Sequence, residues 1–163
     1  MSTRNKNLSS YAEGTIPSGA DFTIGIVISE WNHEITDALY AACLNTLLQN
    51  QTTKEKIITV KVPGSFELPS AAQMLLESRE LDAVICLGCI IKGDTKHDEY
   101  ISNAVAQGVM MVSIDYSTPV IFGVLTTDNL EQAKERAGGK HGNKGDEAAV
   151  TALKMAAVRQ NLI

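Results

Sequence analysis

Apolar residues recur along the chain with two alternating periods. Phe22 to Ser29 (FTIGIVIS) is a short β-branched run that predicts a strand. Glu34 to Gln51 then places Ile35, Ala38, Leu39, Ala42, Cys43 and Leu47 at helical spacing. Ile57 to Val62 reads as a second strand, stopped by Pro63-Gly64. Phe66 to Arg79 returns to helical character through Leu68, Ala71, Ala72, Leu75 and Leu76. Ala83 to Ile91 is a continuous apolar run of the kind buried on both faces of a parallel sheet. His97 to Gly108 predicts a helix, followed by a short apolar stretch from Val109 to Ile114. Val120 to Thr126 is a fourth strand with Pro119 at its start, where a missing N–H is tolerated. Thr127-Asp128 offers an N-cap for a helix through Ala137, and residues 146–160 form a last helix.

This alternation implies a parallel sheet covered by helices, a three-layer α/β sandwich. Residues 1–20 are small and polar, punctuated by Gly14, Pro17 and Gly19, and read as an N-terminal arm. No internal repeat or linker divides the remainder, so residues 21–163 are expected to form one domain.

Composition narrows the function classes. With 44% hydrophobic and 20% charged residues, the 163-residue chain has the balance of a globular protein rather than a disordered one. Fourteen Lys and Arg against nineteen Asp and Glu give a net charge of −5, which argues against nucleic acid as a partner. No apolar run approaches the about 20 residues that span a bilayer, and the first twenty residues lack the apolar core of a secretory signal. Three cysteines make no disulfide framework, so a reduced, cytoplasmic protein is expected. The sequons at Asn7 and Asn50 then carry no meaning for glycosylation.

In parallel α/β sheets, ligands collect outside the carboxyl ends of the strands. The first strand is followed by Glu30-Trp31-Asn32-His33. Trp31, the only tryptophan, either stacks on a planar heterocycle or caps the core, and Asn32 is available for hydrogen bonds. The second strand is followed by Val62-Pro63-Gly64-Ser65-Phe66-Glu67-Leu68-Pro69. A Pro-Gly turn entering a helix would present the N–H groups of Ser65, Phe66 and Glu67 to a polyhydroxyl or anionic ligand; a plain helix start explains the same residues.

The densest polar cluster, Lys92-Gly93-Asp94-Thr95-Lys96-His97-Asp98-Glu99-Tyr100, follows the most apolar strand. Thr95 and the succeeding N–H groups suit a phosphate at a helix N-terminus, and His97 is a natural proton shuttle that Asp98 or Glu99 would orient. Further on, Arg136, Lys140 and Lys144 are interleaved with four glycines within residues 136–145, a pattern fit for an anion pocket or for a solvated helix break. Cys86 and Cys89 have C-x-x-C spacing, but inside a strand they point to opposite faces, which removes redox and zinc roles. His33, His97 and His141 have no metal-ligand spacing, and no G-x-G-x-x-G or G-x-S-x-G occurs. Neither a metal nor a cofactor is expected.

In this order the segments IGIVISEWN, VPGSFELP, LGCIIKGDTKHDEY and PVIFGVLTTDNLEQAKERAGGKHGNKGDEAA resemble the lumazine synthases of riboflavin biosynthesis. The similarity runs from about residue 22 to 158, and GDTKHDEY with ERAGGKHGNKG carry most of its specificity. The resemblance implies a flavodoxin-like four-stranded parallel sheet and the condensation of 5-amino-6-(D-ribitylamino)uracil with 3,4-dihydroxy-2-butanone 4-phosphate. The products are 6,7-dimethyl-8-ribityllumazine, phosphate and water. By the same resemblance, Trp31 stacks on the pyrimidine, Ser65, Phe66 and Glu67 hold the ribityl chain with Asn32 nearby, and the backbone of Ile90, Ile91 and Lys92 reads the uracil edge. Gly93, Asp94 and Thr95 with Arg136 hold the phosphate, His97 is the general acid and base, and Phe122 and Lys144 come from the adjacent subunit.

Two positions depart from the family pattern. Lys92 stands where many members carry arginine, and Asp98 follows His97 where an aromatic residue is usual. The resemblance also implies a homo-oligomer, either a pentamer or an icosahedral shell of twelve pentamers, with riboflavin synthase as a further candidate partner. The short loop from Gly138 to Asn143 lacks the insertion of pentamer-only relatives and favours the 60-subunit shell. Two other readings use the same residues: a protein that binds a flavin or lumazine without turnover, and a shell protein whose role is structural.

Overall fold

A computed structural model describes residues 7, 9–11 and 14–163; part of the expected arm therefore lies outside the described residues. Four parallel strands, β1 (Ile24–Ser29), β2 (Ile57–Val62), β3 (Ala83–Ile91) and β4 (Val120–Thr127), form one sheet in the order β2-β1-β3-β4. Helices α1 (His33–Gln49), α4 (Leu130–Arg136) and α5 (Lys144–Leu162) cover one face, and α2 (Leu68–Ser78) and α3 (His97–Asp115) cover the other. This is the three-layer sandwich expected from the alternation of periods, with the flavodoxin-like four-stranded parallel sheet that the resemblance implies. Among the described residues no helix is long and apolar enough to cross a membrane.

Strand β3 shows why the sheet sits where it does. Its residues from Ala83 to Ile90 are all buried, with Ala83, Ile85, Leu87 and Cys89 facing the α1/α5 layer and Val84, Cys86 and Ile90 facing the α2/α3 layer. A strand apolar at both parities has no solvent face and takes the interior of the sheet. Cys86 and Cys89 indeed point to opposite faces and are free, as their strand spacing requires. Burial holds the Cys86 thiol up at about 12 and the Cys89 thiol at about 11, so both stay protonated and unreactive near neutrality.

Several element boundaries differ from the sequence expectation. The helix expected to stop at Gly108 runs on to Asp115 as α3, with Val105, Val109 and Val112 buried. Gly108 is a packing position instead, because a Cβ there would stand 2.9 Å from Pro69 Cβ and Cγ on α2. The N-cap of α4 is Asn129 rather than Thr127 or Asp128: its side-chain oxygen accepts the Gln132 N–H at 2.9 Å. The glycine-rich segment before α5 forms a small antiparallel hairpin of β5 (Ala137–Gly139) and β6 (Gly142–Asn143), and α5 starts at Lys144, two residues earlier than expected.

Candidate functional site

A cleft of about 880 Å³ opens at the carboxyl ends of β1 and β3, where the strand order reverses direction along the chain. Its wall is assembled from four segments: Trp31 and Asn32 after β1, Gly64 to Glu67 after β2, Cys89 to Ile91 with Gly93 and Thr95 at the end of β3, and the first two turns of α3. These are the strand ends that the sequence marks as polar.

Trp31 is 72% exposed, which rules out a core cap and leaves its ring as a platform beside the cleft. Its backbone is fixed from below, since Glu30 N–H donates to Val62 C=O at 2.8 Å and Trp31 N–H to Pro63 C=O at 3.1 Å. Asn32 takes a left-handed conformation (φ 58°, ψ 44°), which asparagine tolerates better than most residues. Its Nδ2 donates to Cys89 C=O at 2.9 Å, so one end of this amide ties the loop after β1 to β3.

After β2 the chain enters a 3-10 turn from Ser65 to Glu67 before α2. Phe66 and Glu67 are exposed on the cleft wall, whereas Ser65 is buried with its Oγ lacking a hydrogen-bond partner among the described residues. A buried hydroxyl without a partner costs free energy and is satisfied when a polar ligand atom reaches it.

Strand β3 outruns its neighbour: β1 stops pairing at Ile28 opposite Leu87, whereas β4 pairs on to Ile91. The upper edge of β3 on the β1 side is therefore open. Backbone polar groups alternate sides along a strand, and Cys89 C=O already points to that edge, so the N–H and C=O of Ile91 share it. Lys92 N–H is instead spent on Thr127 C=O at 2.8 Å. Of the three residues expected to read a ring edge, Ile91 alone presents its polar pair to the cleft side.

His97 is the first residue of α3 and lines the cleft with an exposed side chain. Its backbone N–H donates to Thr95 Oγ1 at 3.4 Å. Among the described residues no hydrogen bond joins its imidazole to Asp98 or Glu99, contrary to the orienting role expected of them. The amino end of α3, a 19-residue helix, faces the cleft next to Gly93 and Thr95 and favours an anion there. Tyr100, Ile101 and Ala104 also line the cleft, and the sequence reading did not single them out. Their spacing of three and four residues from His97 or from each other was the available signal.

The remaining candidates sit elsewhere. Arg136 and Lys144 share one carboxylate, with Glu147 Oε1 3.2 Å from Arg136 Nη2 and Glu147 Oε2 3.1 Å from Lys144 Nζ. Arg136 Nε is buried without a partner among the described residues. Lys140 turns away to Glu135 at 2.9 Å. This cationic group belongs to α4 and α5 on one side of the sheet, whereas Ser65, Phe66 and His97 belong to the α2/α3 side. Phe122 is half-buried on edge strand β4, against the α2/α3 core, and does not line the cleft. Within one chain, the His97 half and the Arg136–Lys144 half are not brought together.

Comparison with known proteins decides between the ligand classes that such a cleft allows. The family model described as 6,7-dimethyl-8-ribityllumazine synthase matches residues 21–160. The chain belongs to the 6,7-dimethyl-8-ribityllumazine synthase family. It is similar to the 6,7-dimethyl-8-ribityllumazine synthase of Cytophaga hutchinsonii, at 56% identity over 96% of this chain and 98% of the relative. It is also similar to the protein of the same name from Porphyromonas gingivalis, at 51% identity over 98% of this chain and 99% of the relative. A third, from Parabacteroides distasonis, is 49% identical over 95% of this chain and 97% of the relative. The family match covers all four cleft segments and the Arg136–Lys144 group together, so both halves lie in one continuous region of similarity.

Proposed function

We propose that this chain is a 6,7-dimethyl-8-ribityllumazine synthase, joining 5-amino-6-(D-ribitylamino)uracil to 3,4-dihydroxy-2-butanone 4-phosphate in riboflavin biosynthesis. The observation that carries the reading is the family match over residues 21–160, which includes a cleft built from an aromatic platform, an unpartnered serine hydroxyl and a helix-opening histidine. In this reading the primary amine condenses with the ketone to an imine and releases one water. Phosphate leaves by elimination to give an enol that tautomerises to a new carbonyl, and the ribityl-bearing amine closes the ring on that carbonyl with release of a second water. Each step moves protons, and none requires an electron acceptor.

Trp31 stacks on the pyrimidine, and the open edge at Ile91, with Ile90 and Lys92 beside it, meets the uracil edge. Ser65, Phe66 and Glu67 hold the ribityl chain, with Asn32 fixing the loop that carries Trp31. Gly93, Asp94 and Thr95 receive the phosphate at the amino end of α3, where Arg136 completes its charge. His97 hands protons between amine, ketone and leaving group. Phe122, Lys144 and Arg136 reach this cleft from an adjacent copy, a reading supported by their separation from it within one chain. The oligomer is then obligatory for activity, as a pentamer or as a shell of twelve pentamers, and riboflavin synthase is a candidate partner. Residues 21–163 act as one domain with residues 1–20 as an arm, and the reduced thiols Cys43, Cys86 and Cys89 suit a cytoplasmic location.

The test is the absorbance of lumazine formation from the two substrates, beside the Arg136→Ala protein. Product from the parent, with the variant impaired at low phosphate substrate, is the expected result. No product above the enzyme-free rate would leave a ligand-binding or structural relative, and titration of Trp31 fluorescence with riboflavin would then separate those two.

A further inference from the structure

We propose that residues 7 and 9–11 of the arm form a strap that positions the Lys144 and Arg136 half of the site by clamping the backbone of Asn143. The inference rests on the reading above of Lys144 and Arg136 as substrate- and phosphate-binding residues. It concerns what holds them, a role the cleft itself does not reveal.

Asn143 is the junction through which this half is set. It ends β6 and N-caps α5, its Oδ1 accepting Gly145 N–H at 2.8 Å, and its Nδ2 donates to Ala38 C=O on α1 at 3.2 Å. Lys144 is the next residue, and Glu147, the carboxylate shared by Lys144 and Arg136, lies one helical turn on. The direction of Lys144 is therefore a function of the backbone angles at Asn143.

Ser9 fixes those angles from outside the hairpin. Its Oγ accepts the Asn143 N–H at 2.7 Å and lies 3.2 Å from Asn143 C=O, to which it donates. One hydroxyl thus satisfies both backbone polar groups of a single residue, as a paired strand would. Asn7 presents that hydroxyl, because its Oδ1 accepts Ser9 N–H at 2.9 Å in a turn of the Asx type. The docking surface accommodates the strap: Gly142 has φ +85°, and a Cβ there would collide with Asn7 Oδ1 and Ser9 Oγ. Tyr11 settles half-buried beside Glu147 and Asp146, and burial followed by these two carboxylates pushes its phenol up to about 12. It stays neutral and adds no third negative charge beside Glu147 and Asp146.

A strap of this kind is a positioning device, so its loss should move substrate affinity at the cationic half more than the chemistry at His97. In the full-length assembled protein, Ser9→Ala should raise KM for 3,4-dihydroxy-2-butanone 4-phosphate about three- to tenfold, the scale of one net hydrogen bond. The kcat and the KM for the uracil substrate should change less than twofold, roughly the lower bound of that same scale. Ser9→Thr keeps the hydroxyl and should restore the parent value. Hydrogen exchange at amides 142–146 should accelerate in Ser9→Ala and return to normal in Ser9→Thr. Faster exchange with an unchanged KM would overturn the positioning role, and unchanged exchange would overturn the clamp itself. Arg136→Ala serves as the reference: if it leaves the phosphate KM unmoved, the reading of that half has failed, whatever Ser9 does. If Ser9→Ala fails to assemble, Asn7→Ala removes only the turn that presents Ser9, and the same criteria apply.

Discussion

His97 opens α3 with an exposed imidazole and no carboxylate partner among the described residues, an arrangement that suits a mobile proton carrier better than a rigid relay. When the reactants are an amine and a ketone that combine without help, holding them together supplies much of the acceleration. His97→Ala is therefore expected to slow steady-state turnover by roughly ten- to a hundredfold, the low end for a lost acid-base group. A loss above about ten-thousandfold would refute a mechanism dominated by positioning. Arg136 is a different case, since the contribution proposed for it is a charge-assisted contact to phosphate. Its replacement by alanine should cost about 1.5–3 kcal/mol of binding, read as a rise of roughly ten- to a hundredfold in KM for the phosphate substrate alone. Which residues stand at the cleft was legible from strand ends and polar clustering, as Trp31, Ser65 and His97 show. What their atoms are already bonded to was not. The spent N–H of Lys92 and the tied amide of Asn32 depend on where β4 and β3 end in space, which periodicity does not encode.

At the scale of elements, the termini of α2 and α3 frame the cleft, and their spacing is set by Gly108 against Pro69. Two effects compete at this position. Alanine in a helix interior is about 1 kcal/mol better than glycine, but a methyl group 2.9 Å from a proline ring must push one helix aside, at about 1–3 kcal/mol. The ring is not the free end of a flexible chain, so the clash wins. Gly108→Ala should lower unfolding stability by up to about 2 kcal/mol, measured as a reduced urea midpoint. A stabilised variant would mean that α2 and α3 separate freely, and the framing argument would fail. The same glycine explains why the sequence reading ended this helix too early. Glycine breaks helices and also permits helices to touch, and one sequence does not tell the two uses apart. The N-cap of α4 was misplaced for a similar reason, because Thr127, Asp128 and Asn129 are all capping residues, and only the geometry of the chain leaving β4 selects Asn129.

For the whole molecule, the decisive fact is that the sheet separates the two cationic side chains from the histidine. Arg136 and Lys144 lie with the α1/α5 layer and His97 with the α2/α3 layer, a separation that supports the proposed site made from two chains. The surface agrees with burial in an assembly: Met110, Met111 and Ile114 on α3 are each at least 60% exposed, an apolar stripe costly to leave in water. The fold was legible because each layer leaves its own periodicity, whereas the sharing of a site between chains leaves none and came from resemblance. It has a direct consequence. On the proposed composite site, His97→Ala and Arg136→Ala damage different contributors, so subunits dissociated, mixed in equal amounts and reassembled should form some sites with both contributors intact. In a closed ring with random placement, about one interface in four combines an intact His97 with an intact Arg136. Activity of the mixture at low phosphate substrate should then rise to about a quarter of the parent value, well above either variant assembled alone. If the mixture shows only the average of the two variants, both residues serve the same chain's site, and the composite arrangement is wrong.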